Sequence, residues 1–347
     1  MRVLVVKMSS LGDVIHTLPA LSDASRALPG IRFDWVVEEA FAQIPGWHPA
    51  VDRVIPVALR RWRKRPLRDF RGPEWRQARS ALRRQRYDAV IDAQGLMKSA
   101  FIASLVKAPR YGMDRHSVRE RLATSFYHHK IPVPRELHAV ERVRLLFARA
   151  LDYQLPAGPA EYGLRENLPA NDKGLVPGLL FFHGTARAEK LWPEAQWVEL
   201  AELAMRQGYA IWLPWGSEQE RERAERIVHG CATGHAAKAQ VLPRLDLSGL
   251  ASMLLEVSGA VAVDTGLGHL CAALDVPTVS LYGPTDTRLI GACGRNQVHI
   301  QSPVGPANTA DPLAMMQSIT ASAVWRELQA IVPGINQAGR AQPETTR

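Results

Sequence analysis

Residues 3–13 read VLVVKMSSLGD, an apolar and β-branched run that ends at Lys7 and gives way to a polar turn with a glycine. Runs of this kind recur along the chain with helix-length segments between them. They cover residues 33–37, 53–57 and 89–92 in the first half, and residues 179–183, 210–214, 260–264 and 278–282 in the second half. Short buried runs that alternate with helices are typical of parallel strands in βα units. We therefore predict an α/β fold.

Two such series are separated by residues 155–177, which contain four prolines and three glycines. This density predicts a linker. Each half is long enough to bury a core of its own. We expect two doubly wound, Rossmann-like domains at residues 1–160 and 161–337, facing each other across a cleft. The polar segment 338–347 is expected to be a disordered tail.

The composition is that of an ordinary globular protein, with 46% hydrophobic and 22% charged residues among 347. Three cysteines without CxxC spacing argue against a disulfide framework and fit a reducing cytoplasm. The apolar start is too short for a signal peptide, and no stretch approaches the roughly 20 apolar residues of a membrane span. We expect a protein that is soluble or peripheral to a membrane.

Positive charge is concentrated in residues 60–86, which hold 12 Lys or Arg against two acids, a local balance of +10. The whole chain carries +9, so the remainder sums to −1. Such concentration predicts that one surface meets a polyanion. Nucleic acid, an anionic lipid surface and a phosphorylated substrate all remain open at this point.

The polar turn after the first strand is the first candidate site. Ligands of open parallel sheets bind outside the carboxyl ends of the strands, which places Ser9, Ser10, Gly12 and Asp13 at a binding edge. Asp13 has two interpretations: an acid that complements the dipole of the first helical turn, or a general base. The strand ending at Asp92 is followed by Gln94, Gly95 and Lys98, which could form a wall of the same pocket.

The second half repeats the arrangement of a strand followed by a polar turn. Its strand ends supply a hydroxyl, cations, a carboxylate and a glycine-opened helix start, the groups that a nucleotide diphosphate needs. These residues are Thr185, Arg187, Lys190, Glu220, Gly266 and His269. Taken alone, His269 is better interpreted as structural and Glu220 as a solvated helix acid.

Several motifs are absent from the sequence. It contains no GxxxxGK[ST], no complete dinucleotide fingerprint, no DxD and no HExxH or other metal-ligand spacing. We therefore expect neither a metal nor a cofactor.

Several blocks closely resemble the bacterial ADP-heptose:lipopolysaccharide heptosyltransferase family at matching separations along nearly the whole chain. They are MRVLVVKMSSLGDVIHTLPAL, FDWVVEEAFAQIP, VIPVALRRWRK, YDAVIDAQGLMKSA, KLWPEAQW, LPWGS, VDTGLGHLCAAL and LYGPTD. The RRWRK and IDAQGL blocks are similar to the type I enzymes (heptosyltransferase I) rather than to type II. The resemblance implies an inverting glycosyltransferase of the GT-B fold. Its amino-terminal domain would bind the acceptor and its carboxyl-terminal domain ADP-heptose.

The resemblance also implies residue roles. Asp13 would be the catalytic base, and Lys190 would bind the donor diphosphate beside Thr185, Ala186 and Arg187. Glu220 would hold the ribose and Leu245 would line the adenine pocket. The diphosphate and heptose would meet Asp264, Thr265, Gly266 and His269. Ala186 and Gly268 depart from the family, whose members often carry threonine and serine there.

The acceptor implied by the resemblance is Kdo-lipid A, an anionic glycolipid of the inner leaflet. Arg60, Arg61, Arg63 and Lys64 would contact its acidic groups, with Ser9, Ser10, Gly12, Gln94 and Lys98 beside the reacting hydroxyl. Residues 68–86 would face the anionic membrane, which implies a cytoplasmic protein peripheral on the inner membrane. Residues 76–86 could equally form the solvated face of an amphipathic helix.

Three alternatives stay open. A nucleic-acid-binding protein could track phosphates with its arginines and stack bases on Trp62, Phe70 and Trp75, although no nucleic-acid-binding motif supports it. A type II heptosyltransferase would require an acceptor that already carries heptose. An epimerase of the same fold would act on its nucleotide sugar without any acceptor.

Overall fold

The computed structural model describes residues 1–69, 71–164, 168, 176–231, 238–304 and 311–332. The chain divides into two compact units, Met1–Leu168 and Pro169–Arg347. The first unit ends later than the boundary expected at residue 160. Tyr162 and Leu164 are buried, and Glu161 pairs with Arg26 of the first unit, so this segment belongs to that unit. The predicted tail, residues 338–347, lies outside the described residues.

The first unit is built on a parallel sheet of six strands in the order β3-β2-β1-β4-β5-β6. The strands are β1 (Arg2–Val6), β2 (Arg32–Glu38), β3 (Val51–Val57), β4 (Ala89–Asp92), β5 (Arg110–Met113) and β6 (His129–Ile131). The helices are α1 (Leu11–Ile15), α2 (Leu18–Ala27), α3 (Gln43–Gly46), α4 (Leu59–Trp62), α5 (Pro66–Asp69), α6 (Pro73–Arg83), α7 (Met97–Ser104) and α8 (Ala139–Leu151). Short 3-10 turns cover Glu39–Phe41 and Arg121–Phe126.

The second unit repeats this topology, with a parallel sheet in the order β12-β11-β10-β7-β8-β9. Its strands are β7 (Val176–Phe182), β8 (Ala210–Leu213), β9 (Ala239–Val241), β10 (Val257–Val263), β11 (Thr278–Tyr282) and β12 (Gln297–Gln301). Its helices are α9 (Glu194–Arg206), α10 (Glu218–Gly230), α11 (Leu247–Glu256), α12 (Gly266–Ala273), α13 (Thr287–Ile290), α14 (Pro312–Gln317) and α15 (Ala321–Ile331), and a 3-10 turn covers Ala188–Lys190.

The order of each sheet fixes where a ligand can bind. In the first sheet β1 pairs with both β2 and β4, so the chain moves outward in one direction and then returns to the other side. In the second sheet β7 pairs with β8 and β10 in the same way. Such a reversal opens a crevice at the carboxyl ends of the two central strands. The loops after β1, β4, β7 and β10 therefore define the binding edges.

The predicted strands are all present, because their apolar residues form the sheet cores. Val3, Leu4, Val5 and Val6 of β1 are completely buried. In the second unit Trp192 and Trp197 are also fully buried, with ring centroids 4.9 Å apart. Burying a large apolar side chain contributes about 1.5–3 kcal/mol to folding. Four short strands, β5, β6, β9 and β12, were not predicted.

A buried ion pair joins α2 to α8 in the first unit. The Arg144 guanidinium lies 2.6 Å from the Asp23 carboxylate, and both side chains are almost entirely buried. Arg144 also donates to the carbonyl oxygens of Pro156 and Gly158. The beginning of the proline- and glycine-rich stretch, just after α8, is therefore held against the rest of the first unit.

Replacing one partner of this pair should destabilise the first unit strongly. Arg144→Leu leaves the Asp23 carboxylate buried without its closest cation, which costs about 3–5 kcal/mol of unfolding free energy. The double variant Asp23→Leu/Arg144→Leu should recover part of this loss, because it buries no unpaired charge. Urea denaturation measures both, with Arg61→Ala at an exposed ion pair as the control. Equal effects of Arg144→Leu and Arg61→Ala would contradict the assignment.

Candidate active site

The loop after β1 holds Asp13 by its own hydrogen bonds. Asp13 lies in the first turn of α1, where its Oδ2 accepts hydrogen bonds from the backbone N–H and the hydroxyl of Ser10, both at 2.9 Å. Its Oδ1 lies 3.4 Å from the Lys7 Nζ. About a third of the Asp13 side chain remains exposed. The carboxylate therefore caps the helix and is still open to a ligand, so the two interpretations of Asp13 are compatible.

The surroundings of Asp13 keep it ionised. Burial acts to raise the pKa of this carboxyl, but the Lys7 ammonium and the two hydrogen bonds from Ser10 more than offset it. The net result is a pKa well below the ordinary aspartate value of 3.8. Asp13 is therefore ionised at neutral pH.

Lys7 is a site residue that sequence analysis missed. It is buried and lies at the end of β1, where its Nζ donates to the carbonyl oxygen of Ala93 at 3.0 Å as well as facing Asp13. The contact ties the loop after β1 to the loop after β4. The feature of the sequence that could have indicated Lys7 is its position directly after the apolar residues 3–6.

Gln94 strengthens the same connection. Its Oε1 accepts hydrogen bonds from the backbone N–H of Met8 at 2.9 Å and of Ser9 at 3.0 Å. Ser9 is buried, and Ser10 directs both its N–H and its hydroxyl to Asp13. Ser9, Ser10 and Gln94 were predicted to face an acceptor. Their hydrogen bonds shape the loop that holds Asp13. Lys98 lies in the first turn of α7, without an ion pair among the described residues.

Asp92 organises the loop after β4. Its Oδ1 accepts from the backbone N–H groups of Gln94 and Gly95, and its Oδ2 from the hydroxyls of Ser99 and Tyr127. Burial raises the pKa of Asp92 despite these bonds. The side chain is buried, so its role is to fix the position of Gln94.

In the second unit a cluster forms around Asp264, at the carboxyl end of β10. Lys190 Nζ lies 2.5 Å from Asp264 Oδ2, and the Thr285 hydroxyl donates to the same oxygen. The Thr185 hydroxyl donates to the Asp264 carbonyl oxygen at 3.0 Å. Thr185, Lys190 and Asp264 thus lie together at this edge of the second sheet. Thr285 was missed as a site residue, although it lies in the LYGPTD block, which begins within β11 and continues into the loop after it.

Glu220 approaches the same edge from α10. Its Oε2 accepts from the backbone N–H groups of Gly216 at 2.7 Å and Ser217 at 3.1 Å, and its own N–H donates to the Ser217 hydroxyl. A Cβ added at Gly184 would lie only 2.4 Å from Glu220 Oε1. Glycine at 184 therefore lets this carboxylate lie directly against the turn that carries Thr185.

The other predicted donor residues lie at the ends of the same strands. Thr265 is the N-cap of α12 and Gly266 begins it, so this helix N-terminus opens at the edge where β10 ends, and His269 is buried on it. A Cβ at Gly268 would lie 3.4 Å from the Ala262 side chain and 3.5 Å from the Ser280 hydroxyl, which are ordinary van der Waals distances, so packing does not require a glycine at this position. Leu245 is half-buried just before α11, while Ala186 is exposed. Arg187 is exposed and pairs with Glu189.

The basic cluster at residues 60–64 divides into two groups. Arg61 pairs with Glu39 at 3.1 Å and Glu74 at 2.9 Å, and the Arg60 backbone N–H donates to Glu38. Arg63 and Lys64 are exposed and have no carboxylate partner within the described part of the chain. These two cations are available to an anion, whereas Arg61 holds the local structure together.

The structure removes the basis for stacking nucleic-acid bases. Trp62 and Trp75 are buried, their rings pack edge to face with centroids 5.8 Å apart, and Trp62 donates to Glu74. They cannot serve as stacking platforms. Phe70 lies outside the described residues.

The described residues hold no group of three or more His, Cys, Asp or Glu side chains arranged to bind a metal ion. Across the same ranges, no helix combines the length and the apolar character that crossing a membrane requires.

The chain is similar to proteins of known activity. Residues 75–319 match the family model described as glycosyltransferase family 9 (heptosyltransferase). Lipopolysaccharide heptosyltransferase 1 of Pseudomonas aeruginosa is 58% identical over 304 residues, which cover 87% of this chain and 84% of that protein.

Two solved structures of the heptosyltransferase WaaC of E. coli are also similar, each with 46% sequence identity. The one with ADP gives a TM-score of 0.86 and covers 96% of this chain and 100% of that chain. The one with ADP-2-deoxy-2-fluoro heptose gives a TM-score of 0.82, with coverages of 95% and 99%. The predicted GT-B fold is confirmed. The chain is a glycosyltransferase and belongs to family 9, the heptosyltransferases.

Proposed function

We propose that this protein is an inverting heptosyltransferase of type I. It transfers L-glycero-D-manno-heptose from ADP-heptose to the Kdo of Kdo-lipid A. The observation that carries the proposal is an ionised, accessible carboxylate, Asp13, at the switch-point edge of the first sheet. The names and ligands of the similar proteins, which include lipopolysaccharide heptosyltransferase 1 and WaaC with an ADP-heptose analogue, support the choice of substrates.

Asp13 serves as the general base. The acceptor hydroxyl attacks the anomeric carbon on the face opposite to ADP, a C–O bond forms, and the bond to the diphosphate breaks with its electron pair. The hydroxyl proton becomes strongly acidic as the new bond forms, so a weakly basic carboxylate is sufficient to accept it. One displacement inverts the anomeric configuration.

Lys190 stabilises the departing diphosphate. In the present structure its charge is balanced by Asp264, to which Thr285 also donates. When the donor binds, its phosphates can share this ammonium and the N-terminus of α12. The Ala186 backbone N–H and the Thr185 hydroxyl lie beside Lys190 in sequence and support the same role.

The protein also offers groups that can bind the ribose and the adenine of the donor. Glu220 offers carboxylate oxygens to the ribose hydroxyls, and Leu245 offers an apolar contact to adenine. Neutralising the diphosphate by a lysine and a helix N-terminus suits a site without a metal ion.

The acceptor is held by cations. Arg63 and Lys64, with Arg60 beside them, would bind the acidic groups of Kdo-lipid A, while Arg61 supports their loop. The remaining arginines of residues 68–86 would meet an anionic bilayer, at about 1 kcal/mol each near the surface. The protein would therefore work in the cytoplasm as a peripheral protein of the inner membrane.

Incubation with ADP-heptose and Kdo-lipid A tests the function directly. The expected product gains one heptose by mass and has the inverted anomeric configuration. Conversion of ADP-heptose without an acceptor would indicate an epimerase. Transfer only to an acceptor that already carries heptose would indicate a type II enzyme.

Removing the base should slow transfer strongly and leave donor binding unchanged. Asp13→Ala and the isosteric Asp13→Asn should lower kcat by roughly 10²–10⁴-fold, the usual contribution of general-base catalysis. Calorimetric titration with ADP-heptose should give the wild-type Kd. Near-normal turnover in either variant would remove Asp13 from the mechanism.

Removing the positive charge of Lys7 should shift the pH dependence of kcat. Asp13 has a lowered pKa in the folded protein, so its ionised form and the stability it contributes are lost only as pH falls below the ordinary aspartate range. In Lys7→Met burial is less compensated, the pKa of Asp13 rises, and the acid limb of kcat moves to higher pH. Lys107→Met, which removes an exposed lysine that has no ion pair among the described residues, is the control. Superimposable acid limbs for Lys7→Met and wild type would exclude this role of Lys7.

Reversing the available cations should weaken acceptor binding selectively. Arg63→Glu/Lys64→Glu should raise the acceptor KM by roughly tenfold or more, because two attractive contacts become repulsive. The donor KM should stay constant. Arg206→Glu, an exposed arginine at the end of α9, controls for net charge. If acceptor kinetics are unchanged, the acceptor role of these residues is wrong.

A further inference from the structure

Exposed apolar side chains are concentrated at one place in the first unit. Phe101 and Met97 lie one helical turn apart on α7 and are 44% and 37% exposed. Leu122, on the 3-10 turn Arg121–Phe126 that packs against α7, is 71% exposed. We call these three residues the apolar surface. Apolar side chains that are exposed together mark an interaction site more often than scattered ones do.

Hydrogen bonds hold the parts of the apolar surface together. The Met97 backbone N–H donates to the Glu120 carboxylate at 2.6 Å, and the Glu120 N–H donates to the Gly95 carbonyl oxygen at 3.1 Å. Leu122 follows Glu120 by two residues and is thus fixed beside the first turn of α7.

The apolar surface borders the edge that holds Asp13. α7 begins just after the loop that carries Gln94, and Gln94 binds the backbone of Met8 and Ser9. A molecule covering the apolar surface therefore lies beside the carboxyl edge of the first sheet.

Cations flank the apolar surface. Phe101 stacks on Trp75 of α6, with centroids 6.3 Å apart and an interplanar angle of 11°, so the basic helix lies directly beside it. The arginines of α6 and the residues just after it that are exposed and lack a carboxylate partner within the described ranges are Arg76, Arg79, Arg83, Arg84 and Arg86. Arg119 and Arg121, also exposed, come shortly before Leu122 in the chain.

We propose that Met97, Phe101 and Leu122 insert into the headgroup–acyl boundary of an anionic lipid bilayer, with the arginines of α6 on the lipid phosphates. Apolar side chains bordered by arginines are the pattern of an interfacial membrane anchor. The inference rests on the proposed function, because a glycolipid acceptor must bring its sugar to Asp13 while its acyl chains remain in the bilayer. The position of the apolar surface at that same edge meets this requirement.

Sedimentation with lipid vesicles tests the anchor on the full-length chain. The vesicles contain phosphatidylethanolamine with phosphatidylglycerol, or phosphatidylcholine alone. Phe101→Ser/Leu122→Ser should reduce partitioning onto the anionic vesicles by roughly tenfold or more, because two inserted side chains are lost. Leu289→Ser/Ile290→Ser removes another exposed apolar pair, on α13 of the second unit, and should bind as wild type does.

Vesicle binding at high salt distinguishes the insertion of apolar side chains from the attraction between charges. In about 0.5 M NaCl, where surface charges are largely screened, wild type should keep a bound fraction that the double variant lacks. Because Phe101 packs on Trp75, Leu122→Ser alone provides a variant without that contact, and it should show the same loss to a smaller degree. Wild-type binding that disappears entirely in salt, or equal binding by all variants, would overturn the proposal. Absence of wild-type binding to lipid would indicate a protein partner instead.

Heptose transfer to two different acceptors distinguishes a failure of this inference from a failure of the proposed function. The double variant should transfer heptose normally to a deacylated, water-soluble acceptor and poorly to Kdo-lipid A embedded in vesicles. If wild type transfers to neither acceptor, the proposed function fails, whereas the vesicle experiment still decides whether the surface binds lipid.

Discussion

The contact between Lys7 and Asp13 is the constraint on which the first half of the site depends. A carboxylate brought to the edge of a packed sheet loses solvation, and burial alone would favour its protonated form. Lys7 lies 3.4 Å away and is itself buried, so its charge acts through protein rather than through water. The two hydrogen bonds from Ser10 direct the carboxylate as well as stabilising its charge. An ionised base in a fixed orientation follows from these three contacts.

The second unit contains a similar lysine–aspartate pair, Lys190 and Asp264. Lys190 is largely buried and is balanced by Asp264, just as Lys7 balances Asp13. In both units the lysine follows the first strand of the sheet and the contact crosses to the neighbouring central strand, β4 or β10. The shared topology thus places a lysine at each switch point. Under the proposed function the two pairs have different roles: Asp13 would accept a proton from the acceptor, whereas Lys190 would exchange its carboxylate partner for the donor diphosphate.

Much of this architecture could be predicted because central strands of parallel sheets are continuous apolar runs. β1, β4, β7 and β10 were found for that reason, and their carboxyl ends gave Asp13, Thr185 and Lys190, whereas Asp264 was implied by the family resemblance. β6, β9 and β12 lie at sheet edges or are short and half-exposed, and sequences such as HKI and QVHIQ show no such run. Lys7 and Thr285 were missed because their role depends on contacts across strands, which only the register provides. The internal pairing of Arg61 and the burial of Trp62 could not be predicted from charge density either.

The state of Asp13 is the most direct test of the account. Carbon-13 NMR of the labelled carboxyl, assigned by comparison with Asp13→Asn, can follow its protonation as the pH is lowered. The account predicts a chemical shift that stays at the ionised value through the ordinary aspartate range, until the protein unfolds. A titration midpoint at or above 3.8, the ordinary aspartate value, would contradict it.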